Sequence, residues 1–85
     1  MYRITFSRGA TKVLIRMPRN VALNIRAKLD DLAKDPFAQN NNVKALVGNE
    51  GYRLRVGDWR IIYRVEKDRL EILVLRIGTR GGVYQ

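Results

Sequence analysis

The rhythm of apolar and polar positions changes along this chain, and each change predicts an element. Residues 2–6, YRITF, alternate, with Tyr2, Ile4 and Phe6 on one side, the signature of a short half-buried strand. Ser7 follows as a helix N-cap, and Ala10, Val13, Leu14 and Met17 then recur at helical spacing. Pro18 interrupts that helix and suits the first turn of a second one. There Val21, Ala22, Ile25, Leu29 and Leu32 form the apolar stripe, and the helix is expected to end before Pro36. The next stretch, FAQNNNVKALVGNEG, is polar and rich in Asn and Gly and reads as a loop.

Alternation resumes at residue 51. Three strands are expected, over about residues 51–56, 59–65 and 70–77, with turns at Gly57-Asp58 and at Glu66-Lys67-Asp68-Arg69. The predicted fold class is α+β: an N-terminal strand, a helical hairpin, then a three-stranded antiparallel meander with the helices on one face. At 85 residues the chain is expected to make one domain, spanning 1–85.

A two-residue loop at Gly57-Asp58 fixes a register. Val56 faces Trp59, Arg55 faces Arg60, Leu54 faces Ile61 and Arg53 faces Ile62. Because side chains alternate between faces, Tyr52, Leu54, Val56, Trp59, Ile61, Tyr63 and Val65 make a continuous apolar surface for the helices. The opposite face carries Arg53, Arg55, Arg60, Ile62 and Arg64. A second hairpin about Lys67-Asp68 is expected to set Arg64 against Glu71, a compensated pair. Arg55 and Arg60 receive no such partner, and like charges directly opposed across a sheet are destabilising.

Charge changes the meaning of that face. Lys and Arg total 17 against 8 Asp and Glu, a net charge of +9, the electrostatic footprint of a nucleic-acid binder or of a partner for something strongly acidic. Guanidinium groups bind phosphate bidentately and stay charged at any relevant pH, so phosphate is the anion that this cluster suits. A solvated cationic face is the bland alternative. The chain has neither Cys nor His, which removes disulfides, thiolate metal sites and the commonest general base. No cofactor or metal is expected. Without a signal-like N-terminus or a long apolar run, a cytoplasmic protein with no membrane association is expected. Beyond the last strand, Gly78 is expected to bend the chain, and Arg80 and Tyr84 to lie on a glycine-loosened tail beside the arginine face. Lys12, Arg16, Arg19, Arg26 and Lys28 read as the solvated side of the helices.

Residues 43–84, VKALVGNEGYRLRVGDWRIIYRVEKDRLEILVLRIGTRGGVY, resemble the RelE/ParE toxin superfamily, in its RelE-like branch. The shared pattern is Lys-x-Leu-x-Gly at Lys44–Gly48, Tyr-Arg-Leu-Arg-x-Gly-Asp at Tyr52–Asp58, an Ile-Tyr strand, a Leu-rich strand and a terminal Arg…Val-Tyr. The resemblance implies a toxin of a type II toxin–antitoxin system that cleaves mRNA in the ribosomal A site, without metal or cofactor. Its partners would be a cognate antitoxin, the ribosome and mRNA, with operator DNA bound by the toxin–antitoxin complex. Carried over residue by residue, Arg53 and Arg55 grip substrate phosphates, Arg60 stabilises the scissile phosphate, Arg80 supports charge on the leaving group or transition state, and Tyr84 is the general base. The implied reaction is attack of the ribose 2′-OH on its own 3′ phosphate, giving a 2′,3′-cyclic phosphate and a 5′-OH. Many relatives carry Lys at the positions of Arg53 and Arg55, and His or Lys at that of Thr79. Arginine does not deprotonate, so more of the base role falls on Tyr84 here. The alternatives are a ParE-like inhibitor of DNA gyrase, which shares the fold without needing a catalytic constellation, and a catalytically weak RNA-binding relative.

Overall fold

A computed structural model describes residues 1–79. The elements run β1 (Arg3–Phe6), α1 (Arg8–Arg16), α2 (Arg19–Lys34), β2 (Val43–Ala45), β3 (Tyr52–Val56), β4 (Trp59–Glu66) and β5 (Glu71–Thr79), with a 3₁₀ turn at Lys67–Arg69. The strands form one five-stranded sheet in the order β1-β5-β4-β3-β2. β1 runs parallel to β5, and the other neighbours are antiparallel.

The helices start and stop where local chemistry dictates. The Ser7 hydroxyl accepts from the Ala10 N–H at 3.1 Å, satisfying one of the donors orphaned at the start of α1. The same hydroxyl donates to the Leu75 carbonyl at 2.7 Å, tying the helix start to β5. Pro18 occupies the N-cap of α2, and the helix stops at Lys34, two residues before Pro36. Both helices cover one face of the sheet. Ala10, Ile25, Leu29, Leu32 and Ala33 pack on Leu54, Val56, Ile61, Tyr63, Ile72, Val74 and Ile77. Each large side chain buried there stabilises the fold by about 1.5–3 kcal/mol before entropy is counted. The apolar face expected from strand alternation is therefore the helix-covered face, with Tyr63 and Ile61 wholly buried.

Three expectations are corrected. Val43–Ala45, within the presumed loop, adds a short edge strand to β3; three residues flanked by Asn and Gly carry too little pattern to signal it. Gly78 does not bend the chain, since β5 continues through Thr79 and Gly78 pairs with Arg60. The second hairpin also takes a different register: Arg64 faces Leu73, and Glu66 faces Glu71. The reason is a longer connection, in which the 3₁₀ turn ends on Leu70 in the left-handed region at φ 49°. Arg64 Nε instead donates to Glu66 Oε1 at 2.8 Å, two residues along the same strand face. Glu71 is met by Arg3 across the parallel pair, at 3.4 Å.

Candidate functional site

The face of the sheet opposite the helices holds the cations. The Gly57-Asp58 hairpin has the expected register, with Arg55 opposite Arg60 and Arg53 opposite Ile62. Gly57 has φ 59° and Asp58 does not enter the positive range, so the loop follows the type II′ pattern that demands glycine at its first position. The Arg55 N–H donates to the Asn42 carbonyl at 2.8 Å, so its backbone polar groups point toward β2. The Arg55–Arg60 pair is thus the non-hydrogen-bonded kind, in which Cα atoms approach to about 4.5 Å and side chains are closest. Arg55 is exposed, whereas Arg60 Nη1 folds back to donate to the Gly57 carbonyl at 3.3 Å and the Trp59 carbonyl at 3.2 Å. On the other side of Arg60 stands Gly78, which has no side chain to crowd it.

A second row of residues lies parallel to the first, two positions along β3. Pairings Lys44↔Arg53, Arg53↔Ile62 and Ile62↔Arg76 align four side chains across β2, β3, β4 and β5. Arg76 reaches this face through a β-bulge. Ile62 pairs with Arg76 and Tyr63 with Val74, which leaves Leu75 as the extra residue of β5. Simple alternation from Ile72 and Val74 would put Arg76 in the core; the bulge resets the phase, so Ile77 faces the core and Arg76 faces out. Lys44, Leu46, Arg53, Ile62, Leu75 and Arg76 line a cleft of about 720 Å³, with Arg64 and Glu50 at its walls. Ile62 is only 7% exposed despite lying on the cationic face, and it forms the apolar floor between Arg53 and Arg76.

Of the sequence-predicted residues, then, the structure brings Arg53, Arg55 and Arg60 onto one face, in two rows. Arg80 and Tyr84 lie outside the described residues. Lys44 and Arg76 were not anticipated. The spacing of apolar residues in β5 held the clue, because the core-facing steps run Ile72, Val74, Ile77, two residues and then three. The stacked tyrosines Tyr52 and Tyr63, 5.5 Å between ring centroids, belong to the opposite, packed side. Among the described residues no cluster of His, Cys, Asp and Glu could hold a metal ion, and no helix is long and apolar enough to cross a membrane.

Comparison with known proteins bears on this geometry. The chain is similar to Toxin RelG of Mycobacterium tuberculosis, 22% identical across 99% of this chain and 97% of that protein. Its fold matches the intact Escherichia coli RelBE toxin–antitoxin complex with a TM-score of 0.80 at 21% identity, covering 93% of this chain and 96% of that one. It also matches the archaeal RelE–RelB complex of Pyrococcus horikoshii with a TM-score of 0.77 at 26% identity, covering 95% and 97%. Residues 4–84 match the family described as ParE toxin of type II toxin–antitoxin system, parDE. With that match spanning nearly the whole sequence, this chain belongs to the ParE toxin family of type II toxin–antitoxin systems, within the RelE/ParE superfamily.

Proposed function

We propose that this toxin is a metal-independent endoribonuclease that cuts mRNA in the ribosomal A site. The observation that carries the reading is the pairing of Arg55 with Arg60 on a sheet face that no helix of the described residues covers. A fold keeps two like charges directly opposed only where something offsets the repulsion, and a phosphodiester does so. The implied chemistry needs little else. The 2′-OH gives its proton to the phenolate of Tyr84 and attacks the adjacent phosphorus. The bond from phosphorus to the 5′ oxygen breaks, and that oxygen leaves with its charge supported by Arg80 and takes a proton from solvent water to become a 5′-OH. Arg60 stabilises the phosphoryl oxygens as negative charge concentrates on them, a contribution of about 3–4 kcal/mol if it resembles an oxyanion donor. Arg53 and Arg55 hold the flanking backbone. Tyrosine has an ordinary pKa near 10, and cations brought close to it would favour its ionised form.

The partner of this toxin, on the same reading, is a small antitoxin that covers the arginine face, as the RelE relatives were solved bound to RelB. The site of action would be the cytoplasm, where ribosomes and mRNA are. The test is primer extension on a defined mRNA with and without programmed ribosomes. Wild-type protein should give A-site cuts, and Arg60→Ala and Tyr84→Phe should abolish them. Arg60→Ala should do so with stability unchanged to within about 0.5 kcal/mol, since relief of the Arg55 repulsion offsets one exposed and one part-buried hydrogen bond. The absence of cuts by the wild type would sink the nuclease reading.

A second reading draws support from the description of the matched family. The matched family is described as ParE toxin, and the ParE-like alternative implied by the sequence resemblance is a gyrase inhibitor, a binder that should tolerate loss of the Tyr84 hydroxyl. Inhibition of gyrase supercoiling that persists in Tyr84→Phe, with no mRNA cleavage, would establish it.

A further inference from the structure

We infer that the row Lys44–Arg53–Ile62–Arg76 is a second nucleotide subsite, in which Arg76, delivered by the bulge at Leu75, and Lys44 hold the phosphate neighbouring the one at Arg55 and Arg60. The inference rests on the reading of this face as an RNA-binding face and names where the next nucleotide sits. The register carries it. Rows two residues apart on β3 are separated by about 6.6 Å, on the order of the spacing of successive phosphates in an extended strand. Arg53 and Arg55 therefore present cations in step with a polynucleotide backbone, which a peptide carrying scattered carboxylates does not match.

The composition of the two rows differs in a way that fits two roles. The first row concentrates charge, Arg55 directly against Arg60 with the bare Gly78 beside them. The second row places an apolar residue at the centre and cations on either side, Arg53 and Lys44 toward one edge and Arg76 toward the other. Ile62, Leu46 and Leu75 offer a base an apolar surface, and a cleft of about 720 Å³ lies in the size range that holds a small organic ligand. An aliphatic floor gives contact without hydrogen-bond readout, so the subsite is tolerant of base identity. It admits only an unstacked base, which selects single-stranded RNA. Among the described residues lining the cleft, Arg64 is paired with Glu66 at 2.8 Å, and Glu50 stands at the wall. Lys44, Arg53 and Arg76, the cations that flank the apolar floor in register, are the ones assigned to phosphate recognition.

The bulge explains why Arg76 belongs to the site and not merely to the surface. The Leu75 carbonyl, freed from regular pairing there, accepts the Ser7 hydroxyl at 2.7 Å, so the bulge is pinned by the start of α1. Arg76 is consequently held at a fixed place on the sheet.

The test measures binding of a short single-stranded 2′-O-methyl RNA, which lacks the attacking hydroxyl, by fluorescence anisotropy over a range of salt. Each phosphate contact to single-stranded nucleic acid contributes about 0.7 to the slope of log K against log salt. Arg76→Gln and Lys44→Gln should each lower that slope, and the double variant should lower it by about 0.7. Arg76→Lys should retain it, and Arg69→Gln, an exposed cation in the distant β4–β5 turn, should leave it unchanged. An unchanged slope and affinity in Arg76→Gln, where Arg55→Gln lowers both, overturns the subsite. So does failure of the wild type to bind this RNA at low salt. The nuclease reading is judged separately by primer extension: A-site cuts alongside an unaffected Arg76→Gln slope leave that reading standing and remove only the subsite.

Discussion

Tyr63 offers the sharpest check on the core as described. Its ring is wholly buried, stacked on Tyr52, and its hydroxyl has no hydrogen-bond partner among the described residues. A buried donor left unsatisfied costs about 1–3 kcal/mol relative to its hydrated state in the unfolded chain. Tyr63→Phe removes that cost and leaves a void smaller than a water molecule, worth a few tenths of a kcal/mol at about 24 cal/mol per Å³. The net expectation is a gain of about 1–2 kcal/mol. For a domain of this size each kcal/mol moves Tm by about 4–8 °C, so calorimetry will resolve it easily. Burial, and secondarily the neighbouring Tyr52, push the Tyr63 phenol above its ordinary value. The folded state therefore keeps this proton where the unfolded state, with a pKa near 10, releases it. The stability tied to it is fully present below pH 10 and falls as pH rises beyond. The advantage of Tyr63→Phe over wild type should accordingly widen in alkali, while Tyr63 ionises only on unfolding, seen as a late rise in phenolate absorbance. A Tyr63→Phe protein that melts below wild type would refute the reasoning, because it would mean that the hydroxyl makes a bond worth keeping.

Two further substitutions probe the supports of the site. Ser7→Ala removes both the cap on Ala10 and the donor to Leu75, and should cost about 1–2 kcal/mol in urea unfolding, whereas Ser7→Thr should recover most of it. Gly51→Ala should destabilise by more than about 1 kcal/mol, since Gly51 has φ 145° and a Cβ there would stand 3.0 Å from the Tyr63 carbonyl oxygen; an unchanged melting curve would show that this strand entry relaxes freely.

What the sequence discloses depends on how local the determining interaction is. The hairpin at Gly57-Asp58 is legible because two loop residues fix the register by themselves, and with it the facing of Arg53, Arg55, Arg60 and every core residue from Tyr52 to Val65. The next hairpin is not, since Lys67–Arg69 and a left-handed Leu70 lengthen the connection and shift Arg64 from Glu71 to Leu73. Strand β2 exists only because β3 presents an edge to it, a tertiary cause that three residues cannot advertise.

The bulge at Leu75 shows why that distinction matters for function. Strict alternation along β5 assigns Arg76 to the core, where an unpaired guanidinium would cost several kcal/mol to desolvate. The sequence contains that contradiction, a charge at a core phase followed by Ile77 one residue late, and a bulge is the resolution that keeps both Val74 and Ile77 buried. The irregularity that defeats a periodic reading is thus the one that adds a cation to the arginine face. It is anchored by Ser7, a residue whose sequence signal concerned only a helix start. Core packing therefore dictates where Arg76 must go, and the cationic row across β2, β3, β4 and β5 is a consequence of satisfying the other side of the sheet.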